Sequence, residues 1–199
     1  RDILRGTVGE GGEWFVGRPF VNPAGTFDPA SVPAPAAATA RAAGAPRHGL
    51  LPELLQALLD GTAVPWLRLF YMYPSGIYPE LVELMAREPR IAPYVDMPIQ
   101  HGSDPVLKRM RRPERQATIR ERVAWLRDAI PDVALRTTVI VGFPGETEDE
   151  FDDMLGLLEE IRFDHLGAFS YSVEEDTHAA RMSDHVSDAV KRERLERLL

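Results

Sequence analysis

LRTTVIVGFPGETEDEF, running from Leu135 to Phe151, joins an apolar, β-branched stretch to a charged one through Gly142-Phe143-Pro144-Gly145. Branched residues over 135–141 predict a strand buried in a sheet. Thr147 with Glu150 three residues later has the form of a capping box, and Glu146, Glu148 and Asp149 place negative charge at the positive end of a helix dipole. A helix is therefore expected over 148–161. Gly142 and Gly145 let backbone approach a neighbour closely at the carboxyl end of the strand, the end where α/β proteins bind their ligands. The same residues also suit an ordinary βα turn in a parallel fold, and the motif alone leaves both readings open.

Outward from this segment the pattern repeats. Leucines over Leu50–Leu59 are spaced like one face of a helix, and WLRLFY at Trp66–Tyr71 predicts a strand closed by Tyr73-Pro74-Ser75-Gly76. Pro79 opens a helix to about Arg87, at a position where its missing N–H costs nothing. A strand follows over Tyr94–Ile99, then helices over Pro105–Met110 and Glu114–Ala129. Beyond the opening motif, Asp164–Tyr171 is expected as a strand and Ser187–Leu199 as a charged helix. Strands alternating with helices across short connections imply a parallel sheet with helices packed outside it. The fold class is α/β, expected as the later half of a TIM-like (β/α) barrel. At 199 residues the chain is short of the roughly 250 of a whole barrel, and an incomplete barrel leaves edges that the early region or a partner chain would have to cover.

Residues 1–49 are crowded with Pro, Gly and Ala, have little periodicity and are expected to be irregular, with a short strand at Glu13–Val16 and a weak helix at Ala36–Ala43. No run approaches the roughly 18 apolar residues that span a bilayer, and no basic-then-apolar signal opens the sequence, so no membrane partner and a cytoplasmic location are expected. A net charge of −8 argues against a broad nucleic-acid footprint. Cysteine is absent, which leaves no disulfide, no thiolate nucleophile and no cysteine-held zinc or iron–sulfur centre on these residues. None of the five histidines pairs at i, i+4, and no metal site is expected from this chain.

Polar groups converge where strands should end at their carboxyl side. The densest run is Asp96-Met97-Pro98-Ile99-Gln100-His101-Gly102-Ser103-Asp104, and a barrel would bring it to one face with Tyr71, Tyr73, Gly142–Glu146 and Ser170–Ser172. His101 could be a catalyst or a hydrogen-bonded loop residue, and Ser103 or Asp104 could simply cap the helix near Pro105. Lys108, Arg109, Arg111, Arg112 and Arg115 make a local basic run, either a solvated helix face or a contact for an anionic partner. Arg136 could clamp a carboxylate ligand or pair with a nearby acid.

In order and spacing, LRLFYMYP, YVDMPIQHGSDPVLKRMRR, LRTTVIVGFPGETEDEF and FDHLGAFSYSVEEDTHAA resemble the radical-SAM methylthiotransferases. The likeness covers 50–199 and is greatest to the branch that methylthiolates an aspartate of a small-subunit ribosomal protein, with the MiaB-like tRNA enzymes as the near alternative. It implies a radical-SAM partial barrel, S-adenosylmethionine (SAM) and two [4Fe-4S] clusters as the family's cofactors, and a ribosomal protein as partner. By the same resemblance Ile140, Gly142, Phe143, Pro144 and Gly145 match the adenine-side SAM motif. Gln100, His101 and Ser103 match the loop at the adjacent strand end, and Arg136 and Thr138 lie where a polar contact to SAM is expected.

The family's CxxxCxxC loop and the cysteines of its amino-terminal cluster domain have no counterpart here, nor does its carboxyl-terminal TRAM domain, and Asp176 and His178 stand where Gly and Pro are expected. No catalytic residue is therefore assigned, and the expectation is a truncated methylthiotransferase, inactive alone, whose cysteines lie on a companion segment. A non-catalytic module binding SAM or a ribosomal protein is the alternative, and an unrelated (β/α) enzyme using Glu146, His101 or Asp96 as acid and base is a third reading.

Overall fold

The computed structural model describes residues 51–199. The irregular reading of 1–49, with its strand at 13–16 and helix at 36–43, lies outside them. The elements in order are α1 (Leu51–Gly61), β1 (Leu67–Leu69), α2 (Pro79–Arg87), β2 (Ile91–Asp96), α3 (Asp104–Arg109), α4 (Gln116–Ala129), β3 (Ala134–Val141), α5 (Glu148–Ile161), β4 (His165–Ser170) and α6 (Asp188–Leu198). The strands form one parallel sheet in the order β1-β2-β3-β4, so each strand lies beside its sequence neighbour. That sequential order is the topology of a barrel segment rather than of a doubly wound sheet, in which the strand order reverses.

Along β3, Leu135, Thr137, Val139 and Val141 are buried, whereas Arg136, Thr138 and Ile140 are partly open. The period of two separates a face packed on helices from a concave face that would line a barrel. Parallel register carries the division across the sheet, since Asp96 pairs with Arg136, Thr138 with Gly167 and Ile140 with Phe169. Behind the sheet, Val95, Leu135, Val139 and Val141 join Leu81, Leu84, Ile119, Leu126, Phe151, Met154 and Leu157 in one apolar cluster. No helix among the described residues is long and apolar enough to cross a membrane.

Two strands differ from their expected limits by more than one residue at an end. β1 is three residues long rather than six, and its register against β2 shifts between Leu67 and Leu69. Opposite that shift lies Pro93, which has no N–H to give the ladder. β2 starts at Ile91 instead of Tyr94 and ends as a regular strand at Asp96. Beyond it, the Thr137 hydroxyl donates to the Met97 carbonyl (2.8 Å) and Thr137 Oγ1 accepts from the Ile99 N–H (3.3 Å), a side chain standing in for a rung of the ladder. Gln100, at φ 68°, then rejoins β3 beside Val139.

The helix α5 begins as its sequence requires, with Thr147 Oγ1 accepting from the Glu150 N–H (3.3 Å) and the Glu150 carboxylate accepting from the Thr147 N–H (2.9 Å). Neither Ser103 nor Asp104 caps α3 by its side chain in the expected way: Ser103 occupies the N-cap position with no such bond, and Asp104 Oδ1 accepts from the Gln116 N–H at the start of α4 (2.8 Å). Gly102 lies against α5, where an added Cβ would come within 2.7 Å of the Met154 Cα. Because the obstacle is backbone, Gly102→Ala should push α5 off the β2 loop and cost about 1–3 kcal/mol, read as a lowered urea midpoint with unchanged m-value.

Candidate functional site

Gly142 and Gly145 both have φ of +74°, and this left-handed backbone turns the chain after β3 so that the N–H groups of Gly142 and Phe143 point back at Glu146. Glu146 Oε2 accepts both, at 2.9 and 3.3 Å, and also faces His101 Nε2 at 3.2 Å. His101 Nδ1 accepts from the Ser103 N–H (2.9 Å), so the ring proton sits on Nε2 and the imidazole donates to Glu146 as a neutral tautomer. From α6, Arg194 Nη1 donates to Glu146 Oε1 (2.7 Å) and to the Glu146 carbonyl (3.2 Å). The side chains of His101 and Glu146 are wholly buried. Burial pushes the Glu146 carboxyl up, but the hydrogen bond from His101, the Gly142 N–H and the charge of Arg194 together hold it below its ordinary value.

Around this centre the bend after β3 is tied to α3, to the segment before α6 and to α6 itself. The Gly145 N–H donates to the Asp184 carbonyl at 2.6 Å. Arg109 grips Glu150 with both terminal nitrogens (2.9 and 2.6 Å) and reaches the Gly145 carbonyl (3.0 Å). The stem of Lys191 covers Gly142 so closely that a Cβ there would stand 2.4 Å from Lys191 Cγ. The glycine-proline bend thus lies under the Lys191 stem of α6, bonded to Arg109 and Asp184, and reaches the β2 loop through Glu146 and His101.

Beside the bend a cleft of about 400 Å³ opens on the concave face, lined by Gln100, Thr138, Ile140, Phe169, Ser170, Tyr171, Ser172 and Glu174. Ile140 and Phe169 form an apolar wall and the remaining groups a polar rim. Phe143 meets Tyr171 edge to face (centroids 5.4 Å), which connects the bend to the cleft wall. Gly167 pairs with Thr138 in the sheet, and a Cβ there would stand 3.4 Å from the Arg136 and Thr138 side chains.

The expected site residues therefore occupy different layers. Gln100, Thr138 and Ile140 line the cleft, Phe143 braces it, Gly142, Pro144 and Gly145 shape the bend, and His101 and Ser103 lie beneath, holding Glu146. Arg136 pairs with buried Asp96 (Nη1 to Oδ1, 2.7 Å) at the edge of the concave face. Glu146 and Asp96 are both buried and bound to guanidinium groups, which leaves neither free to act on a substrate as acid or base. The basic run is divided: Arg109 locks α3 to α5, Arg115 donates to the Arg112 carbonyl, Arg112 lies over the Tyr73 ring at 5.0 Å, and Lys108 and Arg111 are exposed. It makes no single basic face.

Residues 45–158 match the Radical SAM superfamily. The chain belongs to that superfamily. It is 54% identical over 157 residues to the ribosomal protein uS12 methylthiotransferase RimO of Geobacter sulfurreducens, covering 78% of this chain and 34% of that one. Against the RimO of Anaeromyxobacter sp. (strain K) the identity is 52% over 152 residues, covering 76% and 32%. The chain thus spans about a third of the length of the curated relatives it matches. Among solved structures, the radical SAM enzyme coproporphyrinogen III oxidase (HemN) of Escherichia coli superposes with a TM-score of 0.61 at 19% identity, over 74% of this chain and 35% of that one. That likeness concerns the fold alone, a partial TIM-like barrel.

For the radical SAM superfamily the residues present fit one implied cofactor and not the other. The cleft has an apolar wall beside a polar rim, suited to a flat purine with a hydroxylated sugar. An iron–sulfur cluster needs thiolates, and the 199 residues contain no cysteine; nor do three His, Asp or Glu side chains gather as a metal site among the described residues.

Arg194, Lys191, Asp184, Phe169 and Glu174 were not singled out from the sequence. A signal existed for the α6 cations: Lys191, Arg194 and Arg197 recur every third residue, on one helix face, opposite the acid-rich segment 146–152. Nothing local marks Asp184, which acts through its backbone carbonyl.

Proposed function

We propose that this chain forms the SAM-side part of a RimO-like methylthiotransferase barrel acting on a small-subunit ribosomal protein in the cytoplasm. The observation that carries the reading is the cleft at the carboxyl ends of β3 and β4, walled by Ile140 and Phe169 and braced through Phe143 by the buried Glu146 centre. Gln100, Thr138, Ile140 and the bend at 142–145 are the proposed contacts of the adenosyl group, while His101 and Ser103 position the bend through Glu146. Arg136, ion-paired to Asp96 beside the cleft, would add a polar contact to SAM. Bound there, SAM supplies the activated sulfonium on which the family's chemistry depends. These residues contribute binding, orientation and exclusion of water. Lacking cysteine, they assemble no thiolate-held cluster by themselves, and methylthiolation by them alone is not expected.

Calorimetric titration of the full chain with S-adenosylhomocysteine tests the reading. A dissociation constant at or below about 1 mM is expected, weakened at least about tenfold by Ile140→Asp, which puts a charge on the apolar wall. No heat at millimolar ligand, or equal affinity in the variant, would overturn it.

A further inference from the structure

Glu146 is a buried anion whose Oε2 already accepts from His101 and from the Gly142 and Phe143 N–H groups. Because the His101 ring is the neutral tautomer, those donors bring dipoles but no full charge. The compensating cation comes from α6, 48 positions along the chain, where Arg194 binds Oε1 at 2.7 Å with its own side chain 6% exposed. Its second nitrogen reaches Glu148 (3.1 Å), its guanidinium lies 5.4 Å from the Phe151 ring, and its buried Nε has no partner among the described residues. This guanidinium is thus aimed at the bend after β3 more than at saturating its own hydrogen bonds.

We propose that Arg194 is a positioning residue for the cofactor bend: its charge keeps Glu146 ionised and in place, and Glu146 in turn holds the Gly142 and Phe143 backbone at the edge of the cleft. The ligand part of this inference rests on the SAM reading above. Without the guanidinium, the buried carboxylate would be uncompensated and would either take up a proton or swing toward water. Either response weakens the acceptor shared by the two N–H groups, and a bend free to wander no longer presents a preorganised wall. Arg197 provides a matched comparison. It lies on the same helix and ion-pairs with Glu148 and Asp152, but it does not touch Glu146.

The experiment compares the full chain with Arg194→Met, Arg194→Lys and Arg197→Ala, at a temperature where thermal melts show each folded. Amide hydrogen exchange at Gly142 and Phe143 is read without ligand, and S-adenosylhomocysteine affinity is read by calorimetry. Arg194→Met should deprotect both amides and weaken the ligand at least about tenfold. Arg194→Lys, which keeps the charge but loses the fork, should fall between, and Arg197→Ala should change neither readout. Unchanged protection in Arg194→Met, or equal loss in Arg197→Ala, overturns the proposal. Should the unaltered chain bind no S-adenosylhomocysteine, the cofactor reading fails, while amide exchange still decides the role of Arg194. Should Arg194→Met not fold, Arg194→Lys against Arg197→Ala decides it.

Discussion

Glu146→Ala is expected to destabilise the chain by about 3–5 kcal/mol, measured as ΔG of urea unfolding by circular dichroism, because it strands a buried guanidinium and two backbone donors at once. Arg194 keeps only Glu148 and the carbonyl of residue 146, and the N–H groups of residues 142 and 143 lose their acceptor. A domain of this size has about 5–15 kcal/mol in total, so a visible unfolded fraction is expected on modest warming. Glu146→Gln keeps the shape and an acceptor oxygen and should recover part of the loss. The pair also separates the effect of acid. Glu146 titrates below its ordinary 4.5 in the folded chain, so its contribution is present above that value and is lost as pH falls through the lower folded one. Stability of Glu146→Gln should therefore fall less steeply in that acid range. A remaining slope is expected from Glu150, whose carboxyl is also held low, chiefly by its hydrogen bond from Arg109.

Phe151→Ala should cost a similar amount, about 3–5 kcal/mol, through the cavity it leaves in the core. Phe151 is fully buried in the first turn of α5, and the guanidinium carbons of Arg194 and Arg197 lie 5.4 and 4.8 Å from its ring centre. The same ring supports the core and seats α6, so amide protection along α6 should fall by more than the global loss explains. Phe151→Leu, which fills much of the volume, should cost less than half as much in a parallel urea titration. Equal effects of the two substitutions would show that ring contacts with the arginines, rather than volume, dominate.

Much of this architecture was legible along the chain. The limits of α2 and α5 match those expected from Pro79 and from the Thr147 capping box, because start signals of this kind act within one turn. The strand over 135–141 was equally clear, since a β-branched run between a polar stretch and a glycine bend has few alternatives. β1 and β2 were less legible: Pro93 reads locally as a boundary, yet a register shift in the neighbouring strand accommodates it. At the site, the convergence of the 96–104 loop with the bend at 142–145 was foreseeable from strand alternation, but the layer each residue occupies was not. His101 and Gln100 are adjacent in sequence, yet the first is buried against Glu146 and the second lines the cleft, because Gln100 takes the φ of 68° that turns the chain there.

Local chemistry already specified the alternating strands and helices, a glycine bend after β3 and a capped helix behind it, since each depends on neighbours within a few residues. The assignment of Glu146 to Arg194 instead of to any of the other α6 cations, the split of the basic run between Glu150 and solvent, and the cleft between β3 and β4 arose only on folding. Those outcomes depend on which groups lose water together. Desolvation is a property of the packed chain, and a buried carboxylate takes as partner whichever cation the packing brings within reach.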